Sequence, residues 1–185
     1  EFLGVMGANN TSPIVGNRIV VTGMAGAGKS TFSKLLSAKT GLPLIHLDLY
    51  SWKPGWVRVL EEEFLETQRE LLASDMWIVD SNDVNNDLLL KRADTFVVIA
   101  TPWWICSWRA FIRGLRRAPG AQLPEGCDES ALQRISDEWG IVWRNWRRRK
   151  TVPERDLLLA AQCRPLMTVH VLGSKQKLAE LIDQI

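Results

Sequence analysis

Residues 18–31 read Arg18-Ile19-Val20-Val21-Thr22-Gly23-Met24-Ala25-Gly26-Ala27-Gly28-Lys29-Ser30-Thr31. An apolar run enters G-x-x-x-x-G-K-S directly, and a helix-forming run to Lys39 follows at once. This is the Walker A spacing in its strand, loop, helix setting, and it points to the phosphates of a nucleoside triphosphate. Glycine lets such a loop turn successive backbone N–H groups inward, often at φ > 0. The next helix begins at the anion, with its first N–H groups unpaired. Gly23, Ala25, Gly26, Ala27, Gly28, Lys29, Ser30 and Thr31 are therefore the expected nucleotide-binding residues. Lys29 reaches the β- and γ-phosphates, and the Ser30 hydroxyl is placed for Mg²⁺. Thr31 supports the loop rather than the metal.

Outward from this loop, strand and helix signals alternate. A first strand is expected over 18–22 and the loop helix over 29–40, ended by Gly41. A second strand over 44–47 leads to Asp48. Helix signals follow over 61–74, a short strand over 76–79 ending in Asp80, and a helix over 83–92. The run Thr95-Phe96-Val97-Val98-Ile99 is the clearest buried strand. A helix after Pro102, a second over 129–149, a short one over 153–162, a strand over 167–172 and a closing helix over 174–185 complete the pattern. Such alternation specifies an α/β fold with a parallel, doubly wound sheet. Residues 1–17 lack a sustained period and are expected to form a flexible leader to one domain over 18–185.

At 185 residues the chain is long enough for one substantial core and too short for two catalytic domains. No apolar stretch approaches the roughly 18 residues of a spanning helix, so no membrane role and a cytoplasmic setting are expected. The three cysteines, Cys106, Cys127 and Cys163, have no metal-ligand spacing and read as reduced thiols. Net charge is only +2, yet ten of the 23 Lys and Arg residues and six of the nine Trp residues fall within 103–150. Two uses fit this basic, Trp-rich segment: a lid over bound nucleotide, or a stacking and phosphate-contacting face for single-stranded nucleic acid.

Phosphoryl transfer needs a held phosphate, neutralised charge and an aligned acceptor. Asp48 and Asp80, each beyond an apolar strand, are the candidate carboxylates. Asp48 suits the acceptor hydroxyl and Asp80 the metal side, and the two roles are exchangeable. His46, two residues before Asp48, would share its side of an ideal strand, although a hydrogen-bonded structural histidine is the preferred reading. After Asp48, Trp52, Lys53 and Trp56 can wall an acceptor pocket. In the helix after Pro102, Ile105, Trp108, Ile112 and Leu115 form the expected packing stripe. Arg109, Arg113, Arg116 and Arg117 fall on another side. In the second lid helix Ile135, Trp139, Val142 and Trp146 are the expected stripe. Arg113, Arg117 and Arg148 are the candidate lid arginines for transition-state charge.

With Ile45-His46-Leu47-Asp48, Trp52-Lys53-Pro54-Gly55-Trp56, Trp77-Ile78-Val79-Asp80, Arg92-Ala93-Asp94-Thr95 and Trp143-Arg144-Asn145-Trp146-Arg147-Arg148-Arg149, the chain resembles the adenylate-kinase-related topology modulation proteins. The resemblance covers nearly everything from Arg18 onward. It implies an adenylate-kinase-like P-loop NTPase fold with a five-stranded parallel sheet, ATP and Mg²⁺ as cofactors, and a mobile basic helical lid within 103–150. It also implies adenine bordered by Gly173, Ser174 and Lys175. The family label suggests an effect on DNA topology without establishing direct DNA binding. Relatives commonly follow the aspartate with Gly-Asn-Tyr and an arginine, whereas this chain has Ser81-Asn82-Asp83-Val84-Asn85-Asn86-Asp87. The arginine near Asn85 is absent, so nucleoside, nucleotide and other hydroxyl acceptors all stay open. The expected protein is an ATP-dependent kinase of a small acceptor, a monomer or weak homodimer. The alternatives are an NTPase that binds nucleic acid and an NTP-binding module with little turnover.

Overall fold

The computed structural model describes residues 16–82, 84, 87–116, 125, 127, 131–163, 165 and 167–185. The order is β1 (Arg18–Gly23), α1 (Lys29–Thr40), β2 (Leu44–His46), a 3₁₀ turn (Leu47–Ser51), β3 (Trp52–Lys53), β4 (Val57–Arg58), α2 (Glu61–Leu71), β5 (Trp77–Asp80), α3 (Asp87–Arg92), β6 (Thr95–Ile99), α4 (Trp103–Arg116), α5 (Ala131–Arg147), α6 (Thr151–Cys163), β7 (Thr168–Leu172) and α7 (Lys175–Asp183). Five strands form one parallel sheet in the order β2-β5-β1-β6-β7. Helices cover both faces, which is why β1, β5 and β6 are continuous apolar runs rather than alternating ones.

The period-two alternation of each strand divides its side chains between two cores. On one face Ile19, Val21, Ile78, Val97 and Ile99 pack with Phe32 and Leu36 of α1 and Leu181 of α7. On the other Val20, Trp77, Val79, Phe96 and Val98 meet Leu47, Leu72, Leu89 of α3 and Ala160 of α6. Trp77 is fully enclosed, and its indole N–H donates to Ser74 O at 3.1 Å. Of the expected leader, residues 1–15 lie outside the described residues. Asn17 is tied into the sheet end, donating to Asp94 Oδ2 at 3.0 Å and accepting from Trp77 N at 2.8 Å. No helix among the described residues is long and apolar enough to cross a membrane.

Several local expectations need correction. The second strand stops at His46, because Leu47 turns inward to the core and opens the 3₁₀ turn carrying Asp48. Pro54 and Gly55 make the following loop a short antiparallel hairpin, β3–β4, which a strand reading of single residues had not resolved. The helix expected over 61–74 ends at Leu71, and α3 is described only from Asp87. Helices α4 and α5 present faces other than those their large residues suggested. On α4 it is Cys106 and Ala110 that are buried, while Trp108 is 64% exposed. On α5 Asn145 is buried and Trp139 and Trp146 are exposed. Ile135 lies outside the residues with described side chains. The reason is proximity: a Cβ added to Gly26 would sit 2.2 Å from Cys106 O, so α4 meets the phosphate loop backbone to backbone and only small side chains fit between.

Candidate active site

The loop 23–28 lies at the carboxyl end of β1, the central strand, whose following helix α1 packs on one face of the sheet while α3 and α6, which follow the neighbouring strands β5 and β6, pack on the other. Such a switch point forms a crevice where ligands bind in open α/β sheets. Gly28 adopts φ 104° and caps α1 with no side-chain hydrogen bond, leaving the first helical N–H groups for an anion. Outside the loop, donors from α4, α5 and the residue pair before α4 pin two of its carbonyls. Asn145 Nδ2 donates to Ala25 O at 3.0 Å. Thr101 Oγ1 and Arg109 Nη1 donate to Ala27 O at 3.1 and 3.2 Å. In a trans peptide the C=O and the next N–H point in opposite directions. Holding Ala25 O and Ala27 O therefore aims the N–H groups of Gly26 and Gly28 away from those donors.

Lys29 is buried, and its ammonium donates to Met24 O at 3.2 Å and to Asn82 Oδ1 at 2.6 Å. Burial lowers its pKa, with the charges of Asp80 and Asp48 acting against that. Ser30 Oγ donates to Asp80 Oδ2 at 2.6 Å, and His46 Nδ1 lies 3.1 Å from the same oxygen. Burial pushes the Asp80 carboxyl upward, but the His46 hydrogen bond, the Lys29 charge and the Ser30 hydroxyl together hold it below its ordinary value. Asp80 Oδ1 is buried without a hydrogen-bond partner. An orphaned oxygen of an ionised carboxylate beside a hydroxyl fits a hydrated Mg²⁺, which is held by few protein groups and keeps waters and phosphate oxygens. No cluster of three or more His, Cys, Asp or Glu groups that could hold a metal occurs among the described residues.

Asp48 faces the same crevice from the 3₁₀ turn. It accepts from Asn82 N at 3.3 Å and Ser81 Oγ at 3.4 Å, and from the Asn82 side-chain amide. Burial raises its pKa, against the pull of Lys29 and of the Asn82 hydrogen bonds. His46 partners Asp80 rather than Asp48, correcting the same-side reading: the two are register neighbours on β2 and β5, and the chain turns before Asp48.

Arg113 is close enough to Lys29 for its charge to lower the lysine pKa, while its side chain is exposed. Arg117 lies outside the described residues, and Arg148 is exposed just after α5. Gly173, Ser174 and Lys175 follow β7, two strands from β1, where Ser174 Oγ caps α7 by accepting from Lys177 N at 3.2 Å. Trp52 and Trp56 meet edge to face at 5.6 Å on the β3–β4 hairpin, and Lys53 pairs with Glu63 at 2.6 Å. The residues near Asn85 lie outside the described residues. The sequence reading grouped Arg109 with the other arginines of its helix without foreseeing its bond to the loop, and passed over Asn82, Thr101, Asn145 and Arg155, whose Nη2 donates to Asn82 O at 3.3 Å. Asn145 carried one signal, a lone amide among tryptophans; the others carried none without partners.

TT1252 from Thermus thermophilus is similar in structure, with a TM-score of 0.52 at 16% identity over 90% of this chain and 92% of that one. A gluconokinase from Sinorhizobium meliloti 1021 has a TM-score of 0.49 at 18% identity, covering 94% and 90% of the two chains. A sugar kinase from Janibacter sp. HTCC2649 has 0.49 at 15%, covering 91% of each. No family model and no curated protein sequence matches the chain. At such identities the likeness to TT1252 is one of fold alone, an α/β sheet flanked by helices.

Proposed function

We propose that the chain transfers the γ-phosphoryl group of ATP to a hydroxyl of a small nucleoside- or nucleotide-like acceptor. One observation carries this reading: the carboxylate of Asp48 and the ammonium of Lys29 share Asn82 at the mouth of the phosphate loop. A carboxylate set so close to the phosphate lysine suits an acceptor that must lose a proton as it attacks. In this reading the loop N–H groups and Lys29 hold the phosphates, and Gly173, Ser174 and Lys175 border adenine. Ser30 and Asp80 hold Mg²⁺, which supplies charge neutralisation at the phosphates when bound. Asp48 aligns the acceptor O–H and takes its proton, while the new O–P bond forms and the bond to the β-phosphate oxygen breaks. Trp52, Lys53 and Trp56 wall the acceptor, and Arg113, Arg117 and Arg148 bring positive charge as the lid closes. Membership of the topology modulation proteins is part of this proposal.

A second reading is favoured by one feature. Trp143 and Trp146 stack at 4.8 Å, and Arg149 lies 4.9 Å over Trp146, on an exposed basic stretch. Such a platform suits a polyanion, with water as the phosphoryl acceptor. The test follows labelled ATP with Mg²⁺ against nucleosides, nucleoside monophosphates and small alcohols, alongside single-stranded and duplex DNA. A phosphorylated small product is expected. DNA-stimulated phosphate release with salt-sensitive DNA binding and no small product overturns the kinase reading.

A further inference from the structure

Asn82 joins the two halves of the site with one planar group. Its amide oxygen accepts from Lys29 Nζ at 2.6 Å, and its amide nitrogen donates to Asp48 Oδ2. Its backbone N–H donates to Asp48 Oδ1 at 3.3 Å, and its backbone oxygen accepts from Arg155 Nη2 at 3.3 Å. A flipped amide would set N–H groups against the ammonium and the carbonyl against the carboxylate, repulsive at both ends, so the flanking charges dictate the orientation. An ammonium has three N–H donors. Two go to Met24 O and Asn82 Oδ1, and the third remains for a phosphate oxygen entering the loop.

We propose that Asn82 is a positioning residue that sets the donor-side ammonium of Lys29 and the acceptor-side carboxylate of Asp48 at a fixed separation and orientation. The proposal rests on the phosphotransfer reading above and adds how the two substrates are registered. Because both contacts use one rigid amide, isosteric change separates them. Asn82→Asp keeps an acceptor for Lys29 but turns a like charge, without a donor, on Asp48. Asn82→Ala removes both contacts.

The closing experiment begins without nucleotide. Among the described residues the charged groups facing Asp48 are Lys29 of α1 and Asp80 of β5, and both are retained in these variants. The Asp48 side-chain carboxyl is followed by carbon-13 NMR against pH, its signal assigned by its loss in Asp48→Asn. Asn82→Asp is expected to raise its midpoint by about one unit or more, and Asn82→Ala by less. With MgATP, tryptophan fluorescence is expected to give Asn82→Asp an affinity within about threefold of the wild type and Asn82→Ala one weakened about tenfold. Once an acceptor is known, Asn82→Asp should lose kcat about 100-fold with little change in the ATP KM. An unmoved Asp48 midpoint in both folded variants, or equal loss of nucleotide affinity in both, overturns the linkage. A wild type that binds MgATP and phosphorylates no acceptor overturns the phosphotransfer reading instead, while the nucleotide-free titration still decides Asn82.

Discussion

Where α4 approaches the loop most closely the contact is made by the smallest groups in the chain: Gly26 against the backbone of Cys106, with Ala27 of the loop and Ala110 of α4 also buried. Along the outer side of α4 and α5 the reverse holds. Trp108, Phe111 and Trp139 form a row of rings spaced 6.2 and 5.6 Å apart, and both tryptophans are largely in solvent. Where two backbones must approach closely, excluded volume outranks the hydrophobic gain of a large side chain. The loop needs that approach because Asn145, Thr101 and Arg109 must reach its carbonyls. Helices α4 and α5 thus meet the loop through polar bonds and small residues, and Trp108 and Trp139 are left outside.

The largest expected effect breaks the loop side of this contrast. Lys29→Ala should cost about 3 kcal/mol or more in transition-state stabilisation, roughly 100-fold or more in kcat/KM, with little change in thermal stability. Steady-state kinetics beside a melting curve checks both halves, and near-normal turnover by the folded variant removes Lys29 from the mechanism. Gly26→Ala tests the close approach itself. A Cβ at φ 86° and 2.2 Å from Cys106 O must push α4 away, for a loss of about 2–3 kcal/mol in urea unfolding together with weakened MgATP binding.

Burial holds the Asp48 carboxyl above the ordinary value of 3.8. As pH falls through that raised value Asp48 gains a proton and can no longer accept one from the hydroxyl. The rate should therefore drop about tenfold per unit on the acid side, with a midpoint above that of an ordinary aspartate. An acid limb that persists unchanged in the residual activity of Asp48→Asn assigns it to another group. Asn145→Ala removes a buried donor from Ala25 O and should cost about 1–2 kcal/mol, most of it visible as weaker nucleotide binding because the Gly26 N–H loses its aim. The smallest effect belongs to the aromatic face. Trp108→Ala should change stability by less than about 1 kcal/mol, since only ring-to-ring contact is lost from an exposed residue. A loss of several kcal/mol would mean that the row is enclosed in solution and would erase the contrast.

The phosphate loop, the strand before it and the helix after it were legible because their information is local: fixed spacing, an apolar run, and glycine where φ is positive. The continuous runs at β5 and β6 revealed a buried parallel sheet for the same reason, and Asp48 and Asp80 were found from their places just after apolar segments. Periodicity misled on α4 and α5. It records which residues are large, whereas the buried face was selected by how closely a helix must approach Gly26. The partners of the site were equally out of reach. Lys29 meets Asn82 across 53 residues, Arg109 meets Ala27 across 82, and Asn145 meets Ala25 across 120. By itself the sequence determined the α/β fold and the strand, glycine loop and helix that carry the Walker A spacing, since both follow from neighbours along the chain. Only the tertiary structure decided that Asp80 takes His46, that Asn82 bridges Lys29 and Asp48, and that α4 turns its small residues inward. Those outcomes depend on distances between elements, which no local pattern encodes.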